Sequence, residues 1–328
     1  QRKSELPAAP RRRKSELAAA LTPRESAIKA ALDSVRERCD LAARFQADPI
    51  SFAHRFDHPL DKELVALVSA SVAFGNVRTV HAKLEDLLGR VGPVPRTAAE
   101  DLPSLRTRLR GWKHRVFRGE DLARLLYGAR SVQKEHGSLE ACFKSRLAHA
   151  RASVPSRANH ANMREALAGF SDALRAASGL RAGGRRRGPA HLLPDVRGTS
   201  GSKRLLLFLK WVSRPADGVD LGLWTVDPAL LLVPIDVHLH RLGRNLGLTR
   251  RRNLAWETTE EMTRALARFD PADPTKYDFS MCHLGMVQHC PSRKDARRCE
   301  GCGVQPVCIH WGTEPGRARR PNRSAQVR

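Results

Sequence analysis

The chain has 328 residues, with 58 Lys and Arg against 34 Asp and Glu and a formal net charge of +24. A hydrophobic content of 41% over this length is enough to bury one large core or two small ones, which excludes a wholly disordered basic protein. The charge excludes an acidic solvating protein and points to a polyanionic partner, most economically nucleic acid; no apolar run approaches a membrane span, and no leader pattern follows the basic N-terminus.

In chain order, residues 1–20 are rich in Arg, Pro and Ala and read as a flexible basic arm. The chain opens on Gln1 rather than Met, as a fragment or a processed form does. Thr22-Pro23-Arg24-Glu25 is a capping box with Pro at the first helical position, and Ile28, Leu32, Val35 and Cys39 continue a stripe that ends near Asp48-Pro49. A second helix starts at Pro59 and is so apolar (Leu64, Leu67, Val68, Val72) that it must be central; Gly75 stops it. A third carries Val80, Leu84 and Leu87 as far as Gly92-Pro93, and a fourth is predicted over Glu120–Val132. Ser138 caps a helix bearing Phe143 and Leu147, and Met163, Leu167, Phe170 and Leu174 mark the next. Leu180–Gly188, with Arg181, Arg185, Arg186 and Arg187, reads as a basic loop between two helical halves: a solvated insertion or a phosphate contact. Residues 312–328 read as a flexible basic tail. Period-2 patterns are almost absent, so residues 21–311 are predicted to form an all-α domain.

Seven cysteines are present, and five of them (Cys282, Cys290, Cys299, Cys302, Cys308) fall in the last fifth. A disulfide framework would spread them through a small secreted chain; this clustering indicates a metal centre in a reducing compartment. The spacing Cys290-x8-Cys299-x2-Cys302-x5-Cys308 contains one close pair and two single ligands. That favours a [4Fe–4S] cluster over zinc, which more often takes two close pairs; zinc is the alternative. Cys282 sits in an apolar helical stretch with Met281 and Leu284 and reads as a core thiol.

The loop Cys290–Cys308 resembles the C-terminal cluster loop of the helix-hairpin-helix DNA glycosylase superfamily, with a longer first gap than is usual there. Val233–Leu248 resembles that superfamily's segment of a valine or proline, an aspartate, a histidine and a helix, closed by an arginine-leucine-glycine-leucine turn. Leu193–Lys203 resembles its hairpin, stretched, with Asp195 at a glycine position. Glu63–Asn76 resembles its first helix, with Ser71 where a glutamine fills the gap left by an everted base; Phe74, Gly75 and Asn76 are the substitutes to consider. The resemblance covers roughly residues 60–311 and is nearest to an uncharacterised bacterial branch.

It implies a two-subdomain helical fold with the hairpin at 193–210, the aspartate segment at 233–250 and the four-cysteine loop at 290–308. It implies a base-excision glycosylase with AP-lyase activity acting on duplex DNA, a monomer in the cytoplasm near the nucleoid, or else a non-catalytic binding relative. The implied catalytic pair is Lys203, which must lose its proton to attack a sugar, and Asp236, which would stabilise positive charge on that sugar. Arg204 and the basic surround are expected to lower the lysine's pKa. The other readings are a phosphate-binding lysine, with Lys210 as the alternative nucleophile, and an aspartate that merely caps a helix. DNA contacts are expected from Gly198, Gly201, Ser202, His238, Arg241, Lys113, Arg297 and Arg298, and from Trp112, which either stacks on a base or fills core. The metal ligands are expected to be Cys290, Cys299, Cys302 and Cys308.

Overall fold

The computed structural model describes residues 20–153, 159–180 and 187–311. The two arms, Ala20 apart, and most of the Leu180–Gly188 loop lie outside these residues.

The first helix, α1 (Pro23–Glu37), forms where its capping box places it: Glu25 N–H donates to the Thr22 hydroxyl at 3.2 Å, and Thr22 N–H donates to the Glu25 carboxylate at 2.8 Å. It ends sooner than predicted. Asp40 accepts the Ala43 N–H at 3.0 Å and starts a separate short helix, α2 (Leu41–Ala47). Next come α3 (Pro59–Val72), buried throughout from Glu63 onward, and α4 (Val77–Val91), which Gly92 terminates at φ +98°. Two short helices that the sequence reading did not separate follow, α5 (Pro95–Ala98) and α6 (Leu102–Arg108). A two-residue hairpin then interrupts the helical pattern: β1 (Lys113–His114) pairs antiparallel with β2 (Phe117–Arg118), with Arg115 in the turn at φ +50°. The α-helices that follow, joined by irregular segments, are α7 (Gly119–His136), α8 (Leu139–Ser153), α9 (Asn159–Ser178), α10 (Arg187–Leu192), α11 (Lys203–Ser213), α12 (Val237–Leu246), α13 (Trp256–Ala267), α14 (Asp278–Val287) and the single turn α15 (Ala296–Cys299). The all-α reading therefore holds, and no described helix is long and apolar enough to cross a membrane.

Two apolar clusters organise these helices. The larger takes in residues from Ile50 to Leu232 together with Trp256 and Phe279 and is centred on α3, α7, α9 and α11; Leu205–Ser213 of α11 are all buried. The smaller joins Ile28 and Leu32 of α1 to Val233–Leu248, Met262, Leu266, Tyr277, Met281 and Val304. The chain thus passes from the larger core to the smaller at Leu232–Val233 rather than at the basic loop, with Trp256 of α13 and Phe279 of α14 reaching back into the larger one, and α1 crosses to pack with the C-terminal helices.

Glu63 on α3 shows how the larger core accommodates charge. Its buried carboxylate accepts the N–H groups of Leu139 (2.9 Å) and Glu140 (3.1 Å), the Gln133 amide (2.8 Å) and the Trp224 indole (2.8 Å). Burial pushes this carboxyl up, against the pull of the four donors. Glu63→Ala would strand those donors in a dry site, so we expect a loss of about 2–3 kcal/mol in urea-unfolding stability.

Candidate active site

Lys203 is the first residue of α11, and Asp236 is the residue from which α12 starts, so the site lies where two helix N-termini meet. Lys203 Nζ is 3.4 Å from Asp236 Oδ2, and the two side chains retain 30% and 20% of their accessible surface, within reach of solvent. Asp236 divides its oxygens. Oδ1 accepts the N–H groups of His238 (2.9 Å) and Leu239 (2.8 Å) as a helix cap, while Oδ2 faces the lysine. Capping and charge pairing are therefore roles of one carboxylate rather than alternatives. A third group also meets Oδ2: the Cys282 thiol on α14 donates to it at 3.4 Å. Cys282 is half-buried at the site rather than a core thiol. The signal was present in the sequence, since Asp278, Cys282 and Gly285 share one face of α14. Gly285 lets that face close on α12: a Cβ there would stand 3.3 Å from the His238 Cβ and carbonyl oxygen.

The electrostatics correct one expectation. Burial works against the Lys203 charge, but the Asp236 carboxylate, with Asp278 behind it, holds the ammonium above its usual 10.5. Burial likewise pushes Asp236 up, yet the Lys203 charge and the Leu239 N–H hold its carboxyl below its usual 3.8. Lys203 at rest is thus a paired ammonium and not a lowered amine. Arg204 does not depress it, because its guanidinium turns away to lie over the rings of Phe74 (5.1 Å) and Phe117 (5.5 Å) and donates to the carbonyls of Ser71 and His191. Burial without a carboxylate partner lowers Arg204 itself to about 10. By linkage, the Asp236 contribution to stability is lost as pH falls through its lowered value, and the Lys203 contribution as pH rises through its raised one.

The hairpin residues are placed differently from expectation. The Gly201 N–H donates to the Leu254 carbonyl at 3.1 Å, and a Cβ on Gly201 would stand 2.8 Å from that oxygen, so this glycine serves a backbone–backbone approach inside the chain. The Gly198 N–H closes a turn on the Asp195 carbonyl at 3.1 Å. Asp195 fits its glycine position because its carboxylate accepts the Arg197 N–H at 3.0 Å, a side-chain turn that needs no positive φ. Ser202 is buried in a left-handed conformation at φ +48°. The N–H groups of Gly198, Gly201 and Ser202, which were expected to contact DNA, are thus all engaged within the chain, that of Ser202 by the Ser200 hydroxyl at 3.2 Å.

Trp112 is also inside, 2% exposed, and its indole donates to the Lys83 carbonyl at 3.1 Å: it fills core and does not stack on a base. Phe74 packs on His114 (5.0 Å) and Phe117 (5.3 Å), Ser71 bonds back to the Leu67 carbonyl at 2.7 Å, and Asn76 caps α4. Lys113, Arg241, Arg297 and Arg298 are exposed, and His238 is half-buried beside Asp236. Arg241 donates to the Cys290 carbonyl at 3.1 Å and ties α12 to the cysteine loop. Lys210, the alternative nucleophile, is 1% exposed and lies between Asp220 and Asp278, 3.3 Å from each, which removes it from solvent chemistry.

Cys290, Cys299, Cys302 and Cys308 line one cavity, walled by Leu242, Leu246 and Val304. No group of three or more His, Cys, Asp or Glu among the described residues is arranged to hold a single metal ion. The donor set nonetheless suits a thiolate-bound centre. The Asn245 amide donates to the Cys290 sulfur at 3.2 Å, backbone N–H groups of Val304 and Gln305 point at Cys302, and that of His310 points at Cys308. Donors of this kind stabilise sulfur that carries negative charge.

A family model described as "Protein of unknown function (DUF2400)" matches residues 48–287. No curated protein and no solved structure matches the chain. The matched span contains Lys203, Asp236 and Cys282 and ends before the four loop cysteines.

Proposed function

The chain belongs to the DUF2400 family, and we propose that it is a base-excision DNA glycosylase with AP-lyase activity. The observation that carries this reading is the Lys203–Asp236 pair, 3.4 Å apart and solvent-reachable at two helix N-termini, in a chain of net charge +24. The positive ends of α11 and α12 favour an anionic backbone beside the pair. A deoxyribose turned out of the duplex enters next to Lys203, which gives its proton to Asp236. The free amine attacks C1′, and the glycosidic electrons leave with the base, which takes up the proton that Asp236 accepted and so returns Asp236 to its carboxylate form. Ring opening yields a Schiff base on Nζ, and loss of the C2′ proton then breaks the 3′ C–O bond. Asp236 stabilises the positive charge that C1′ carries as the base departs. The test is borohydride trapping on duplexes bearing 8-oxoguanine, an oxidised pyrimidine or an abasic site. Covalent capture on one of them is expected, and no capture on any would refute the assignment.

Cys290, Cys299, Cys302 and Cys308 would hold a [4Fe–4S] cluster, and when bound it supplies rigidity to a basic loop rather than a reagent. Protein purified under nitrogen is then expected to be brown with broad visible absorption, and Cys299→Ser to lose colour and iron; a colourless protein containing zinc would replace the cluster with that metal. Phosphate contacts fall to the exposed Arg297 and Arg298 on α15, and to Lys113 and Arg241. We expect Arg297→Glu combined with Arg298→Glu to weaken duplex binding more than deletion of residues 1–14, by about tenfold at low salt, with a shallower salt dependence by about two ions. A second reading, binding without turnover, gains weight from the raised Lys203 and from the occupied N–H groups of Gly198 and Gly201. It predicts salt-steep retention of all duplexes and no trapping.

A further inference from the structure

The Asp236 carboxylate oxygen that faces Lys203 has two donors. One is the ammonium at 3.4 Å and the other the Cys282 thiol at 3.4 Å. Such a carboxylate divides its hydrogen-bonding capacity, and each donor weakens the hold on the other. We propose that Cys282 is a positioning residue: its S–H shares Asp236 Oδ2 with Lys203 and so makes the lysine's proton easier to release. This deepens the glycosylase assignment and, for its kinetic arm, rests on it.

The donor role is secure because this thiol stays protonated: burial first, and then the Asp236 carboxylate, push it well above its usual 9.0. A neutral donor relieves the carboxylate without adding a second positive charge that would repel the ammonium. The frame is fixed from both sides. Cys282 stands one turn after Asp278 on α14, and the Asp278 carboxylate is held 3.3 Å from Lys210, which is on the helix that begins at Lys203. The charged and titratable groups facing Lys203 are therefore Asp236 from α12, and Cys282 and Asp278 from α14, with His238 beside Asp236. Of these, Cys282 competes with Lys203 for one oxygen as a neutral donor.

Cys282→Ala and Cys282→Val remove the donor, and valine keeps the volume filled; Cys282→Ser restores a donor. Two readouts separate this inference from the function it builds on. The first is the titration of Lys203 in protein carrying 13C-methylated lysines, assigned with Lys203→Arg, which needs no activity. Alanine and valine are expected to raise the lysine titration by about half to one pH unit, and serine to leave it near wild type. The second is the pH profile of borohydride trapping, expected to move to higher pH in parallel, with capture near pH 7 reduced about threefold to tenfold and recovered in alkali. Alanine and valine that titrate with wild type, or below it, would overturn the inference. Wild type that traps nothing would sink the glycosylase assignment and leave the Cys282 inference to be decided by the titration.

Discussion

Lys203→Gln is expected to abolish Schiff-base trapping, with strand scission at abasic sites falling at least about 10³-fold, while duplex retention changes by no more than about threefold. Glutamine keeps the length of the side chain and its place at the start of α11 but provides no nucleophile. Asp236→Asn makes the complementary test sharper. Asparagine caps as well as aspartate, so the bonds from His238 and Leu239 N–H to Oδ1 survive and α12 stays folded. What disappears is the charge on Oδ2. Lys203 then loses the main influence that raises it, burial dominates, and its titration falls, so the amine is more often neutral near pH 7 than in wild type. If holding the lysine were all that Asp236 did, the variant would trap faster. If Asp236 accepts the proton and stabilises charge at C1′, the variant fails despite its freer amine, and failure is the expected result. In wild type, because the resting lysine is a paired ammonium, the trapping rate should climb with pH through the neutral and alkaline range, as the neutral amine becomes more abundant.

The features that could be read from the sequence were those whose cause is local. Thr22 and Glu25 satisfy each other within one turn, Gly92 ends α4 where a positive φ is needed, and Ser138 caps α8 at 3.0 Å through the Ala141 N–H. Lys203 and Asp236 were legible because each begins a helix within a long motif. The errors are contacts between segments distant in the chain. Gly201 looked like a phosphate-facing glycine, but the oxygen it meets belongs to Leu254. Trp112 lies among basic residues, yet its indole finds an acceptor at Lys83 and the ring goes inside. Cys282 read as one more apolar residue: its spacing with Asp278 and Gly285 put it on a shared helix face, but not that this face meets the Asp236 carboxylate. The division of cores at Leu232–Val233 was hidden for the same reason: α1 belongs with helices more than half the chain away, and periodicity says which face is buried but not against what.

The second large effect is on stability and lies behind the site. Lys210, Asp220, Asp278, Arg214 and Asp273 form a buried chain of charges: Lys210 is 3.3 Å from both Asp220 and Asp278, and Arg214 binds Asp220 as well as Asp217 (3.0 Å) and Asp273 (2.8 Å). Lys210→Met preserves the length and apolar volume of the side chain and removes the cation. Arg214 still holds Asp220, but Asp278 is left without its partner, so we expect a loss of about 3–5 kcal/mol in urea-unfolding stability at neutral pH. The pH dependence gives this prediction a sign. Burial already raises Asp220 to about 6, and Asp278 is raised for the same reason. A carboxyl raised in the folded state favours folding most below its unfolded value of 3.8, and that contribution is lost as pH rises through the folded value. Without Lys210 both carboxyls shift further up and can escape their unpaired charge by taking protons. The deficit of Lys210→Met should therefore shrink as pH falls from about 7 to about 5, in the same range where wild type changes less. A deficit that stays constant or grows toward pH 5 would mean that the lost cation acted through packing. In that case the buried charges would not be what fixes α11 and α14 against each other beneath Lys203 and Cys282.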